Sequence, residues 1–438
     1  MKTNKKTVAT PKFTHEGGRA SRLTALQELK RSVMSCMLFE DNFYESGESN
    51  ADRIKGLVSK VKPKDAVDVA ISARNDMHLR HAPLWIARWL ALNPQAKVAE
   101  LLPQVIQRAD ELSEFVAMYW KDKKQPLSKQ VKKGLAKAFT KFNEYQLAKY
   151  NRDGEVKLRD VLFLSHAKPK DEEQGELWKR LIDGQLATPD TWEVALSAGS
   201  DKKETWERMI KEDTLGDMAF MRNLRNMVNA KVDRKLIRES MEKRTFNKVF
   251  PYRFIAAAEN AQEFAGDLEK KMLGALQEHP KLQGRTVLLI DVSGSMDAAL
   301  SNKSEMNRIH AASAIAVLAR EICEDVEVYT FSNDLKKVPN IHGFGLIEKI
   351  WNSQSHGGTM LWESINKLDA KTDYDRLIVF TDEQAHDSMR NKPKGQLYVV
   401  NVGSYQNGVA YGNSVHIDGF SEKIIDFIME YEKQQNEE

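Results

Sequence analysis

Up to about residue 275, aliphatic and aromatic side chains recur every three or four positions, and β-branched runs are few. That spacing is one face of an α-helix. It predicts helices over Asp65–Arg74, Leu84–Leu92, Val98–Trp120, Ser128–Tyr150, Leu177–Leu186 and Phe264–Leu276. Lys62-Pro63, Asn93-Pro94, Gln125-Pro126, Asp153-Gly154, Lys168-Pro169 and Thr188-Pro189 punctuate them. Ser128 ahead of Val131 and Thr188 ahead of Pro189 suit helix N-caps. Many helices on short links predict a HEAT-like α-solenoid or a bundle.

The pattern changes after Gly284. Val287–Ile290, Val326–Phe331, Leu377–Phe380 and Leu397–Val402 are short apolar runs. An alanine-rich helical segment, Arg308–Cys323, separates the first two, and Ser421–Tyr431 reads as a last amphipathic helix. Strands alternating with helices predict a mostly parallel α/β sheet. The expected architecture is therefore multidomain: an all-α helical solenoid over residues 1–280 and an α/β, Rossmann-like domain over residues 281–438.

Composition narrows the class. The 438 residues are 41% hydrophobic and 29% charged, which excludes wholesale disorder and collagen-like repeats. No apolar stretch approaches the 18 or so residues of a membrane span, and the basic, polar stretch Met1–Lys12 carries no leader signal. Two cysteines, Cys36 and Cys323, fit free thiols in a reducing, cytoplasmic setting. The net charge of +3 hides an asymmetry. Residues 281–438 hold 16 basic and 23 acidic side chains, and the rest of the chain holds 50 and 40. A basic helical part calls for an anionic partner, of which nucleic acid is the commonest, although solvated helices can also be basic by composition.

The first α/β strand closes on Asp291-Val292-Ser293-Gly294-Ser295. Leu377–Phe380 runs into Thr381-Asp382, and His356-Gly357-Gly358-Thr359 lies between. Two carboxylates and three hydroxyls thus come from three loops at one sheet edge, where open α/β sheets bind ligands. Hard oxygen donors without Cys or His suit Mg²⁺, or another divalent cation such as Mn²⁺ or Ca²⁺, rather than Zn²⁺. A helix cap alone would account for Asp291 and Ser293, but not for the other two loops. The pattern resembles the von Willebrand factor A domain and its metal-ion-dependent adhesion site, with Asp291, Ser293, Ser295, Thr359 and Asp382 in the five family positions. Met360 departs from it, since relatives often carry a polar residue there. The resemblance implies a metal whose open position takes a partner's acidic group. Glu383, His356 and His386 are near in sequence, but no spacing ties them into a catalytic unit.

Within Ser128–Tyr150, Lys129, Lys133, Lys137 and Lys141 stand four apart and would form one basic stripe. Val131, Leu135, Ala138, Phe139 and Phe142 would face inward. Lys149, Arg152, Arg159 and His166 extend the positive surface. Met218–Met227 reads as a helix that buries Phe220, Met221, Leu224 and Met227 and turns Arg222, Asn223, Arg225 and Asn226 outward. Such residues follow phosphates and base edges, although a basic stripe is also an ordinary solvated face.

Longer stretches carry a second resemblance. They are Gly17-Gly18, Leu26…Leu29-Lys30-Arg31, Phe43-Tyr44…Gly47, Lys149-Tyr150…Arg159-Asp160-Val161-Leu162-Phe163-Leu164-Ser165-His166-Ala167-Lys168-Pro169, Arg222-Asn223-Leu224-Arg225-Asn226-Met227 and Phe250-Pro251-Tyr252-Arg253-Phe254. In this order, ahead of an A-type domain, they resemble the TROVE domain of the Ro autoantigen family. The resemblance implies a ring of HEAT-like helices closed by the A domain. It implies Y-like noncoding RNA on an outer basic surface, where Lys149, Arg159 and His166 fall. It also implies single-stranded 3′ ends of misfolded RNA in the cavity, an exoribonuclease as partner in RNA quality control or maturation, and a monomer. Phe163 departs from the pattern, since relatives often carry arginine there.

No Gly-x-x-x-x-Gly-Lys-Ser/Thr loop and no zinc spacing occurs. Three readings follow: a non-catalytic RNA-binding protein, a Mg²⁺-dependent protein-interaction module, and a metal-dependent nuclease. The first is the expectation, and part of the second is compatible with it.

Overall fold

The computed structural model describes residues 12–34, 38–42, 44–274, 276–304 and 306–437; Cys36 and Phe43 lie outside the described residues. No described helix is long and apolar enough to cross a membrane. The chain forms two compact units, but these do not divide at residue 280. Ser49–Met272 is one unit, and the described residues before Ser49 join the described residues after Met272 in the other. The physical reason is a set of hydrogen bonds between residues more than 300 positions apart. Thr14 Oγ1 donates to the Ala385 carbonyl at 2.7 Å, and Arg19 N donates to Ser388 Oγ at 3.0 Å.

The helical unit is built from short helices, most of them packed on one that is one or two places along in the chain, as in a solenoid. Two long helices expected from the periodicity are broken. Val98–Trp120 is two helices, Val98–Val105 and Asp110–Trp120. Ile106 turns extended between them, and Glu111 accepts from the Gln107 and Arg108 amides at 2.7 and 3.0 Å. Ser128–Tyr150 is likewise Lys129–Phe139 and Glu144–Tyr150. Asn143 caps the second helix in a reciprocal capping box with Gln146, which restarts the helix on a new axis. Ser128 caps its helix as expected, accepting from Val131 N. Thr188 caps nothing; Thr191 starts the next helix and accepts from Val194 N.

The α/β unit holds a six-stranded sheet: β1 Leu282–Asp291, β2 Cys323–Phe331, β3 Leu335–Val338, β4 Arg376–Thr381, β5 Gln396–Asn401 and β6 Val415–Asp418. The spatial order is β3-β2-β1-β4-β5-β6, with only β3 antiparallel. The four apolar runs of the sequence are β1, β2, β4 and β5. The short edge strands β3 and β6 carry no comparable run, which suits edges that are half solvated. Strands β1 and β4 are apolar on both faces because helices cover both. Helix Arg308–Ile322 is buried almost throughout and packs on β1, β2 and β4. Val287, Leu289, Leu377 and Val379 pack on the other face with Trp362, Ile365 and Leu368 of helix Leu361–Lys371. The last helix runs Lys423–Glu437, past Tyr431, where the amphipathic segment expected from the sequence ends. Cys323 is buried, and its thiol donates to the Ala319 carbonyl.

Candidate functional site

The sheet order reverses between β1 and β4, and their carboxyl ends open a crevice there. Ile290 stands in register with Phe380, so Asp291 and Thr381 end adjacent strands side by side. Asp291 Oδ1 accepts from Ser293 N at 2.9 Å, and Asp291 Oδ2 accepts from Thr381 Oγ1 at 2.6 Å. Ser293 Oγ and Ser295 Oγ are 3.3 Å apart. Asp291, Ser293, Ser295, Thr359 and Asp382 are all buried.

Hydrogen bonds join the three loops. Gly294 N donates to the Gly357 carbonyl at 2.9 Å, tying the loop after β1 to the glycine turn. Thr359 N donates to His386 Nδ1 at 3.0 Å, and His386 N returns a bond to the Thr359 carbonyl, tying that turn to the loop after β4. A Cβ on Gly357 or Gly358 would lie 2.2 or 2.7 Å from the Asn333 side-chain amide, which would have to shift. The sequence-derived set is thus brought together at one place.

The donor chemistry fits a divalent cation. Burial, and then the neighbouring Asp382 charge, push the Asp291 carboxyl above the usual carboxylate range. Two buried carboxylates that repel one another are what a dication would relieve. Among the described residues no group of three or more His, Cys, Asp or Glu side chains gathers to hold a metal. A cation here would therefore rest on two carboxylates and neighbouring hydroxyls.

Two residues at this place have no counterpart in the expected set. Tyr44 donates its hydroxyl to Asp382 Oδ2. Arg308, only 2% exposed, brings its guanidinium within 3.8 Å of the same oxygen and donates to the Ser295 carbonyl at 2.8 Å. Burial and the Asp382 charge raise the Tyr44 pKa well above the ordinary tyrosine value, so the phenol stays protonated and donates. A usable signal for Arg308 existed: it is a charged residue heading a helix of alanine and aliphatic side chains. Glu383 and His356 face other partners, and His386 holds Glu16 as well as the Thr359 backbone. Glu383 pairs with Arg31 and with His416 at 3.2 Å, His356 with Asp297 at 2.7 Å, and His386 with Glu16 at 3.2 Å.

In the helical unit, Lys129, Lys133 and Lys137 are exposed on one helix, and Val131, Leu135, Ala138 and Phe139 are buried on its other side. Lys141 leaves the stripe. It lies beyond the helix end, and its ammonium turns back to donate to the Pro103 and Ile106 carbonyls, both at 2.6 Å. Arg159, Phe163 and His166 are exposed on or just after helix Leu158–Ser165, which packs beside the lysine helix. His166 ends that helix in the left-handed conformation, with Nε2 3.3 Å from Lys132 Nζ. Arg152 is exposed, and Lys149 is half-buried over the rings of Tyr145 and Tyr150. Phe163 is 59% exposed and lines an open cleft of about 560 Å³ with Trp120, Lys124 and Pro126.

Helix Asp217–Asn229 presents Arg222, Arg225 and Asn226 to solvent, with Arg225 Nη1 3.0 Å from Asn260 Oδ1. Asn223 is buried instead, because its amide donates to the Ala219 carbonyl one turn back. This helix packs on Pro251–Asn260, apart from the lysine helix, so the two basic sets stand on different helix pairs.

Two comparisons with known proteins bear on the fold and on part of the chain. The crystal structure of the Ro (RSR) protein of Deinococcus radiodurans superposes with a TM-score of 0.61 at 17% identity, covering 93% of this chain and 98% of that one. At that identity the likeness is one of fold. Residues 179–321 match the model of the TROVE domain family. That stretch includes Arg222 and Arg225 and runs on through β1, so it spans parts of both units. Telomerase protein component 1 of Mus musculus is 31% identical over 103 residues, which is 22% of this chain and 4% of that protein. The match therefore spans only a small part of that relative. The Ro-family resemblance in the sequence is thus supported by the fold and by the family match.

Proposed function

We propose that this chain is a non-catalytic RNA-binding protein of the Ro type. The observation that carries the reading is the surface formed by two neighbouring helices. Lys129, Lys133 and Lys137 stand exposed on one, with Arg159, Phe163 and His166 on the other. Evenly spaced ammonium groups follow a phosphate backbone with little regard to sequence. Phe163 adds an aromatic face on which an unpaired base can stack. The partner expected there is a structured, Y-like noncoding RNA. Arg222 and Arg225 form a second contact set suited to a single-stranded 3′ end, as in the handling of misfolded RNA for quality control or maturation.

The α/β unit is read as a von Willebrand A-type module. Asp291, Ser293, Ser295, Thr359 and Asp382 would hold Mg²⁺, Mn²⁺ or Ca²⁺, and the metal would supply a fixed positive charge. An exoribonuclease is the protein partner this reading favours, in a cytoplasmic setting.

The test is a gel shift with a structured RNA, with and without a single-stranded 3′ tail, over a salt series. Tight, salt-sensitive binding is expected, weakened for both RNAs by Lys133→Glu and only for the tailed one by Arg222→Glu. Salt-independent binding, or none, would refute the RNA reading. It would leave the α/β unit as the working part.

A further inference from the structure

The described parts of residues 12–44 run over the loops that surround the metal centre, within the same compact unit. Thr14 and His15 bond Ala385 and Gln384 in the loop after β4. Gly18 sits so close that a Cβ would lie 2.2 Å from the Ala385 carbonyl oxygen. Ser21 N donates to the Gly408 carbonyl at 2.8 Å, and Asn42 Nδ2 to Ser404 Oγ at 3.3 Å, in the loop after β5. The loop after β1 is held as well, since Asn302 N donates to the Asp41 carbonyl at 3.0 Å. Arg31 is buried, pairs with Glu383, and bonds the Asp382 carbonyl at 3.3 Å. The segment therefore grips three loops at the carboxyl ends of the strands, and Tyr44 is where it reaches a metal-ligand candidate.

Tyr44 is clamped for that role. Its ring lies 4.5 Å from the Arg308 guanidinium, 5.3 Å from the Tyr405 ring and 5.2 Å from the His15 ring. A phenol oxygen is a hard donor, of the same class as the hydroxyls already gathered. It also needs no second protein to bring it. We infer that Tyr44 is this chain's own lid on the metal centre, standing in the outward position that an acidic side chain of another protein would otherwise take. On this arrangement the bound cation fastens Tyr44 to the sheet, and a partner's carboxylate gains access only when Tyr44 swings out. The inference rests on the metal reading of the site and goes beyond it.

The decisive experiment titrates the full chain with Mn²⁺, following free ion by electron paramagnetic resonance and the waters on bound ion by solvent-proton relaxation. Wild-type chain, Tyr44→Phe, Tyr44→Ala and Asp291→Ala are compared. Tyr44→Phe removes only the hydroxyl and keeps the ring packing. Wild type is expected to bind Mn²⁺ with low relaxivity, and both Tyr44 variants to raise the relaxivity of bound Mn²⁺ about twofold as water enters. Hydrogen exchange of residues 12–34 should slow about tenfold with Mn²⁺ in wild type and not in Asp291→Ala. Bound Mn²⁺ with the same relaxivity in wild type and both Tyr44 variants would overturn the lid and leave the metal site standing. Failure of wild type to bind Mn²⁺ would overturn the metal reading and the lid with it.

Discussion

Thr381 Oγ1 donates to Asp291 Oδ2 at 2.6 Å, so the last residue of β4 orients the carboxylate that ends β1. The same oxygen accepts from Glu383 N at 2.9 Å. One buried hydroxyl thus serves both the carboxylate and the loop that carries Asp382. Thr381→Val keeps the shape and removes both bonds. It is expected to lower stability by about 2–3 kcal/mol, the cost of leaving buried polar groups unpaired. A urea midpoint equal to that of wild type would show that the hydroxyl is idle.

Arg308 balances the acidic centre in the absence of metal. One guanidinium faces Asp382, while Asp291 is held by the uncharged Ser293 amide and Thr381 hydroxyl. Arg308→Met should destabilise the metal-free protein by about 3–5 kcal/mol, the range for breaking a buried ion pair. Saturating Mg²⁺ should then restore more stability than it gives wild type, because the dication no longer meets a fixed positive charge. Equal Mg²⁺-induced shifts in Tm for the two proteins would remove Arg308 from the metal's surroundings.

The lysines separate into two roles that a salt series distinguishes. Lys133→Ala and Lys137→Ala should each reduce the slope of log K against log salt by about 0.7–0.9 for every phosphate left without its ammonium, with Tm unchanged. Lys141→Ala should lower Tm by freeing the Pro103 and Ile106 carbonyls, and should leave the salt slope as it was. A slope change for Lys141→Ala at constant Tm would return that residue to the RNA-facing stripe.

That contrast marks what the sequence makes legible. The buried strands and the alanine-rich helix are readable because each is one uninterrupted apolar signal. The strand ends that carry Asp291 and Asp382 are readable because each closes one of those apolar runs. The helix breaks at Ile106 and Asn143 are hidden, since the apolar period continues across them and the interruption is made by local caps. Lys141 is misplaced for the same reason. The grip of residues 12–44 on the loops after β1, β4 and β5 leaves no local trace, because its partners lie more than 250 positions away. Tyr44 falls within a resemblance motif, but nothing in its neighbourhood points to Asp382. Only the folded chain brings the two together.

The last helix of the α/β unit carries a pH-dependent clasp. Glu432 accepts from Arg376 Nε at 3.0 Å, from Arg376 Nη2 at 3.1 Å and from the Tyr398 hydroxyl at 2.6 Å. Burial raises the Glu432 carboxyl, but the Arg376 and Tyr398 hydrogen bonds outweigh it and hold its pKa below the usual glutamate value. A depressed folded value means that the unfolded state binds the proton more readily as pH falls. The clasp is therefore fully stabilising above the unfolded glutamate pKa of about 4.3 and is lost as pH drops through the folded value. Glu432→Gln should cost about 1–3 kcal/mol at pH 7 and progressively less in acid, so the urea midpoints of the two proteins converge below about pH 4. A constant gap between them from pH 7 to pH 3 would mean that the carboxylate's charge does not hold this helix to β4 and β5.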